Sequence, residues 1–96
     1  MRQIRLRSRA EIDLVDIWAY TFAQWDEGQA DKYVDELQVA INHLVDHPQR
    51  GVPRSNVRDG FRVLFVNRHA VYYQLTPATV DIVRVLHAQM DPDGHL

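Results

Sequence analysis

The 96-residue chain predicts an α+β fold of order β-α-α-β-β-β, with an antiparallel sheet carrying a two-helix hairpin on one face. Three observations carry that expectation. Two long stretches repeat apolar side chains every three or four positions, with only Trp25, Asp26, Glu27 and Gly28 between them. Three runs rich in β-branched and aromatic residues follow, parted by turn-like triplets. The last of these, from Val80 to Leu86, is apolar on both sides of a period-two ribbon, so it belongs inside a sheet covered above and below.

Taken in order, residues 2–7 alternate around Ile4 and Leu6 and read as a half-buried first strand. Ser8 and Glu11 form a capping box that opens a helix running to about Gln24. Its expected buried stripe is Ile12, Val15, Ala19 and Phe22, widened by Leu14, Ile17 and Trp18. Asp26 and Gln29 offer a second cap of the same kind, and the helix after it runs to about Asp46. Ala30, Tyr33, Val34, Leu37, Ile41, Leu44 and Val45 make its apolar face, and Pro48 stops it. So short a connection makes the helices an antiparallel hairpin.

Residues 48–58 form an irregular basic loop with Pro48, Gly51, Pro53 and three arginines. Strands are expected at 60–66, 70–75 and 79–87, joined by turns at 67–69 and 76–78, as a three-strand antiparallel meander. Residues 1–96 form one domain without repeats. If Phe61, Val63 and Phe65 face the helices, then Arg62, Leu64 and Val66 line an open face, an apolar patch studded with arginine that fits a partner.

Composition narrows the class. No cysteine is present, which excludes disulfide and thiolate chemistry. Arg2, Arg5, Arg7 and Arg9 interrupt any apolar run at the start, and no apolar stretch approaches a membrane span, so a cytoplasmic protein is expected. The net charge of −2 hides a split. Residues 11–47 carry nine carboxylates against Lys32, whereas the rest carries ten arginines against four aspartates. Such polarity sets an acidic helical layer beside a basic sheet, although solvated helix surfaces also produce it.

Candidate chemistry is sparse. His43 and His47 have the spacing of a two-histidine metal pair, but Leu44 stands where a zinc protease needs glutamate, and no third ligand follows. Histidines at a helix C-terminus explain them better, so neither metal nor cofactor is expected. Arg62, Arg84, His69 and His87 can be read as a phosphate clamp with a histidine acid or base, or as groups that orient strands and partners. The chain has no glycine-rich phosphate loop and no nucleophile–base pair, which favours the second. Tyr72 and Tyr73 face opposite ways, one of them core and the other free to stack on a base. Trp25, at the hairpin tip, is placed to contact a target.

An ordered set of motifs over nearly the whole chain resembles the ParE branch of the RelE/ParE toxin superfamily. It comprises Ala10, Asp13, Leu14, Ile17, Trp18 and Tyr20 on the first helix, and Ala30, Tyr33 and Leu37 on the second. Pro48 and Gly51, then Gly60, Phe61 and Arg62, then Val71, Tyr72 and Tyr73 follow. The most specific piece is the stretch from Ile82 to Asp91 with His95 and Leu96.

The resemblance implies the toxin half of a type II toxin–antitoxin (plasmid-stabilisation) pair that causes growth arrest by binding and poisoning DNA gyrase, without catalysis. It also implies a ParD-like ribbon-helix-helix antitoxin that wraps the toxin and represses the operon, so that DNA is met only through the antitoxin. The expected antitoxin contacts are Arg62, Leu64, Arg84 and Leu86. The expected target contacts are Trp25, His87, Met90, Asp91 and His95. The alternative, a RelE-like ribosome-dependent mRNA endonuclease, would use Arg62, Arg84 and His87. Against it stand the single lysine and the acidic net charge.

Overall fold

The computed structural model describes residues 1–55 and 60–96. Two helices lie on a five-stranded sheet: β1 (Gln3–Leu6), α1 (Ser8–Gln24), α2 (Glu27–His43), β2 (Val52–Pro53), β3 (Phe61–Val66), β4 (His69–Leu75) and β5 (Thr79–His87). The sheet order is β1-β5-β4-β3-β2. β3, β4 and β5 pair antiparallel, as expected, and β2 adds antiparallel to β3, while β1 joins β5 in parallel, which makes the sheet mixed. β2 lies inside the stretch expected to be loop: two residues opposite Val63 and Arg62 suffice to start an edge strand. Arg58, assigned to that loop from sequence, lies outside the described residues.

α1 begins differently from the capping box. Arg7 is the N-cap and no side chain caps the helix. The reason lies in the exit from β1: the Arg7 N–H donates to the Ile82 carbonyl, and its guanidinium forms a two-pronged pair with the buried Asp81, 2.6 Å at the shortest contact. Arg7 is thereby held extended at the sheet edge, and its carbonyl takes the Glu11 N–H, so Ser8 already lies in the first turn. The second cap forms as expected, with the Asp26 carboxylate accepting from the Gln29 N–H.

The buried face of α1 also departs from the apolar stripe. Ala10, Asp13, Leu14, Ile17 and Thr21 are buried, whereas Ile12, Val15 and Phe22 are exposed. Two polar residues sit in that face because each is satisfied: Asp13 by Arg84, and Thr21 by donating to the Ile17 carbonyl. Counting only hydrophobic side chains therefore selects the wrong side. On the outer side Trp18 stacks on Phe22 and donates its indole N–H to Asp31 of α2. α2 buries Ala30, Leu37 and Ile41 as expected, with Leu44 just beyond its end.

Under the helices lie Val71, Tyr73, Val80, Ile82 and Val85, with Leu64 and Val66 packed against them. The other sheet face gathers Phe61, Val63, Ala70, Tyr72, Val83 and Leu86, with Leu96 packed on it. The conditional placement of the phenylalanines is thus reversed. Cross-strand partners share a face, and Val63 opposes Tyr72 while Leu64 opposes Val71. The arginine-studded open patch does not form either, since Phe61, Val63, Tyr72, Val83 and Leu86 are all buried within the chain.

β5 reconciles its double-sided hydrophobicity with a register shift. Tyr73 opposes Ile82 but Tyr72 opposes Arg84, so Val83 is an inserted residue. Ile82 and Val85 then face the helices while Val83 and Leu86 face outward.

Gly51 is fixed by Tyr73. The buried Tyr73 hydroxyl accepts the Gly51 N–H and donates to the Pro48 carbonyl. A Cβ at Gly51 would lie 2.6 Å from that oxygen and 2.9 Å from the Val63 carbonyl. Gly51→Ala should therefore lower stability by about 1–3 kcal/mol, because backbone and a pinned ring must both move. Urea denaturation checks this, and an unchanged midpoint would show that the loop yields freely.

Candidate functional site

The buried ion pair of Asp13 and Arg84 stands at the centre of the candidate site. Both residues are 8% exposed. The Arg84 Nε donates to Asp13 Oδ2 at 2.7 Å and its Nη2 to Oδ1 at 2.9 Å. The same carboxylate accepts the Val85 N–H at 3.0 Å. β1 ends at Leu6, opposite Ile82, so beyond it β5 has no strand on that side. Asp13 supplies the acceptor there in place of a strand. Hydrogen bonding to Asp13 raises the Arg84 pKa above its usual value against the opposing effect of burial.

Around this pair the end of β5, α1 and the C-terminal tail enclose a cleft of about 420 Å3, lined by Tyr20, His69, Arg84, His87, Met90 and His95, with Arg9 among its walls. A second hollow of about 340 Å3 shares Tyr20, His69 and His87 and extends to Trp25, Tyr33 and Arg68. His69 belongs to β4 rather than to the preceding turn, and its cross-strand partner is His87. Their rings meet edge-on with centroids 5.5 Å apart.

Tyr33, assigned from sequence only to the helix core, orders this pair. Its hydroxyl accepts the Arg68 N–H and reaches His69 Nδ1 at 2.6 Å. Burial, with the neighbouring His87 adding, lowers the His69 pKa to about 4. The hydroxyl oxygen already takes the Arg68 N–H, so its O–H donates to Nδ1 of the tautomer that carries its proton on Nε2. The His87 Nδ1 accepts the Gln89 N–H, which leaves Nε2 as its remaining polar atom. Neutral His69, the rings of His87 and His95, exposed Tyr20 and half-exposed Met90, with Ile17, Val85 and Leu86, give the cleft a mixed ring and apolar lining. Its charged groups are Arg9, Asp13, Asp16 and Arg84.

The sequence candidates divide accordingly. His87, Met90 and His95 converge in the cleft, and Trp25, 75% exposed, stands in the adjoining hollow with His87. Asp91 does not line either space: it accepts the Asp93 N–H, and its charge acts on Tyr72, whose pKa burial raises. Arg62 does not join Arg84. It donates instead to the Gly51 and Gln49 carbonyls across the sheet edge. Leu64 faces α2, Leu86 is buried on the outer face, and Arg84 is committed internally, so these four residues form no common patch. Tyr72 and Tyr73 are both buried, which removes either from base stacking. His43 and His47 are exposed, and among the described residues no three His, Cys, Asp or Glu side chains are grouped to hold a metal.

A separate groove of about 690 Å3 runs between α2 and β3, with Val39, Ala40, His43, Leu64, Phe65 and Val66 in its walls. β2 pairs with β3 only opposite Val63 and Arg62, so the Leu64–Val66 edge extends past it. Phe65 is 52% exposed there.

The model of the ParE toxin of the type II toxin–antitoxin system parDE matches residues 4–92. The chain belongs to the ParE toxin family. Toxin ParE1 of Caulobacter vibrioides is 41% identical over 96 residues, covering 100% of this chain and 99% of that one. Toxin ParE1 of Mycobacterium tuberculosis is 38% identical over 92 residues, covering 95% and 94%. In structure, the chromosomal ParDE system from P. aeruginosa matches 93% of this chain and 98% of that one with a TM-score of 0.83 at 18% identity. The E. coli DinJ-YafQ complex matches 91% and 93%, with a TM-score of 0.62 at 13% identity. At such identities these two establish a shared fold.

The depressed His69 pKa carries a pH signature. The unfolded chain takes up a proton near pH 6.5, whereas the folded ring resists protonation down to about 4. Stability contributed by neutral His69 is present above pH 6.5 and is lost as pH falls toward 4. Thermal melts should show Tm dropping by several degrees across that window, and His69→Gln should flatten the drop. An equal slope in the variant would assign the effect to other groups.

Proposed function

We propose that this ParE-family chain is the toxin of a type II toxin–antitoxin pair that arrests growth by binding DNA gyrase in the cytoplasm, without catalysing a reaction. The observation that carries this is the composition of the α1–β5 cleft. It offers Tyr20, Met90 and three imidazole rings beside Ile17, Val85 and Leu86, a mixed ring and apolar lining that suits a protein surface. Its central arginine is already paired, and Arg62 is turned to backbone carbonyls elsewhere. Arg62, Arg84 and His87 therefore do not meet as the cation cluster that phosphodiester cleavage would draw on.

The antitoxin half of the proposal uses the other groove. A strand edge beside exposed Phe65 and Val39 suits an extended segment that adds to β3 and buries apolar side chains against α2. A ParD-like antitoxin with a ribbon-helix-helix dimer would supply that segment, and the complex would bind and repress the operon. The groove lies two strands from the cleft in the sheet order, so the two surfaces are separately mutable.

Purified protein should inhibit supercoiling of relaxed plasmid by gyrase and leave ribosome-bound message intact. Message cut at the ribosomal A site, with cutting lost in His87→Ala, would replace this account with the endonuclease one. Phe65→Glu should weaken antitoxin binding at least about 30-fold, the loss of one well-buried aromatic contact, while gyrase inhibition stays as in the parent. Titration calorimetry with the antitoxin and a supercoiling assay measure the two effects, and undiminished antitoxin affinity would clear the β3 edge of that role.

A further inference from the structure

We propose that Arg84 is a positioning residue that fixes the C-terminal tail, residues 88–96, so that Met90 and His95 complete the cleft. This assignment rests on the cleft being the target contact. The tail has no helix or strand, and among the described residues three ties hold it to the body. The Ala88 N–H donates to the Arg68 carbonyl at 2.8 Å. Arg84 Nη1 donates to the His95 carbonyl at 2.7 Å. Leu96 packs on the outer sheet cluster. Between these ties the hydrogen bonds among the described residues are local, from Gln89 and Met90 to His87, Asp93 to Asp91 and His95 to Pro92.

The guanidinium divides its work cleanly. Nε and Nη2 neutralise Asp13, whose carboxylate also caps Val85. Nη1 serves the tail alone. A fold requirement at this position would be met by any cation facing Asp13, whereas reaching the His95 carbonyl at the same time needs the planar fork of arginine. Gly94 completes the geometry. Its φ of +85° lies in the left-handed region, just before the carbonyl that Arg84 holds.

Arg84→Lys separates the two duties, since an ammonium neutralises Asp13 and cannot span to His95 as well. In the full-length variant, 15N relaxation should show the order parameters of His95 and Leu96 falling from about 0.85 to below about 0.6, with the body of the sheet unchanged. The concentration needed for half-inhibition of gyrase supercoiling should rise at least about tenfold. Gly94→Val leaves the ion pair intact and strains only the turn, so it should loosen the same two residues. It also answers the question if Arg84→Lys fails to fold. A folded Arg84→Lys protein with the parent's tail order overturns the assignment, as does an ordered tail in Gly94→Val when the lysine variant is unfolded. A loosened tail with undiminished gyrase inhibition upholds the clamp and instead removes the tail from the target contact.

Discussion

Much of this small protein depends on one desolvated ion pair. Taking Asp13 and Arg84 out of water costs several kcal/mol for each ion in general, and only close geometry with further hydrogen bonds repays it. Both conditions are met: the contact is two-pronged, and the spare lone pairs and donors go to Val85 and His95. The pair joins α1, the bare end of β5 and the tail in a single knot. A second pair, Arg7 with Asp81, ties the exit of β1 to the same strand, so the β1–α1 junction and the first turns of α1 are both pinned to β5 by charge.

That arrangement separates two surfaces of the fold. Near α1 and β5 the chain presents a cleft of mixed ring, apolar and charged lining whose central arginine, Arg84, is paired with Asp13. Near α2 and β3 it presents a strand edge beside a groove in which Val39, Ala40, Leu64, Phe65 and Val66 are rimmed by Lys32, Asp35, Glu36, His43 and Arg50. The acidic helical layer and the arginine-rich remainder add a polarity that orients an approaching partner over distances of about a Debye length, roughly 8–10 Å in physiological salt. Under the proposed function, this separation lets the antitoxin and the target be met by different residues.

Much of the architecture is legible in the residues themselves. The helices, the Asp26 cap, the β3–β4–β5 meander and the face of α2 follow from periodicity and turn chemistry. The α1 face does not, because two of its buried residues, Asp13 and Thr21, are polar and acceptable only once Arg84 and the Ile17 carbonyl are in place. No local pattern announces a partner 71 residues away. The parallel pairing of β1 is likewise non-local. At the site, His87, Met90 and His95 are recognisable by motif, whereas Tyr33 and the pairing of His69 with His87 emerge only from register. The Asn67 backbone carried a usable signal: a left-handed φ of 53° there makes a tight hairpin that begins β4 at His69.

The claim that the Asp13–Arg84 pair acts as one unit is tested most directly by a double-mutant cycle in chemical denaturation. Asp13→Asn keeps an acceptor for Val85, and Arg84→Met keeps the side-chain volume. Each single variant leaves a buried partner uncompensated and should cost about 3–5 kcal/mol, while the double variant should cost clearly less than their sum. Strictly additive losses would mean that the two residues do not depend on each other, and the account built on their pairing would fail.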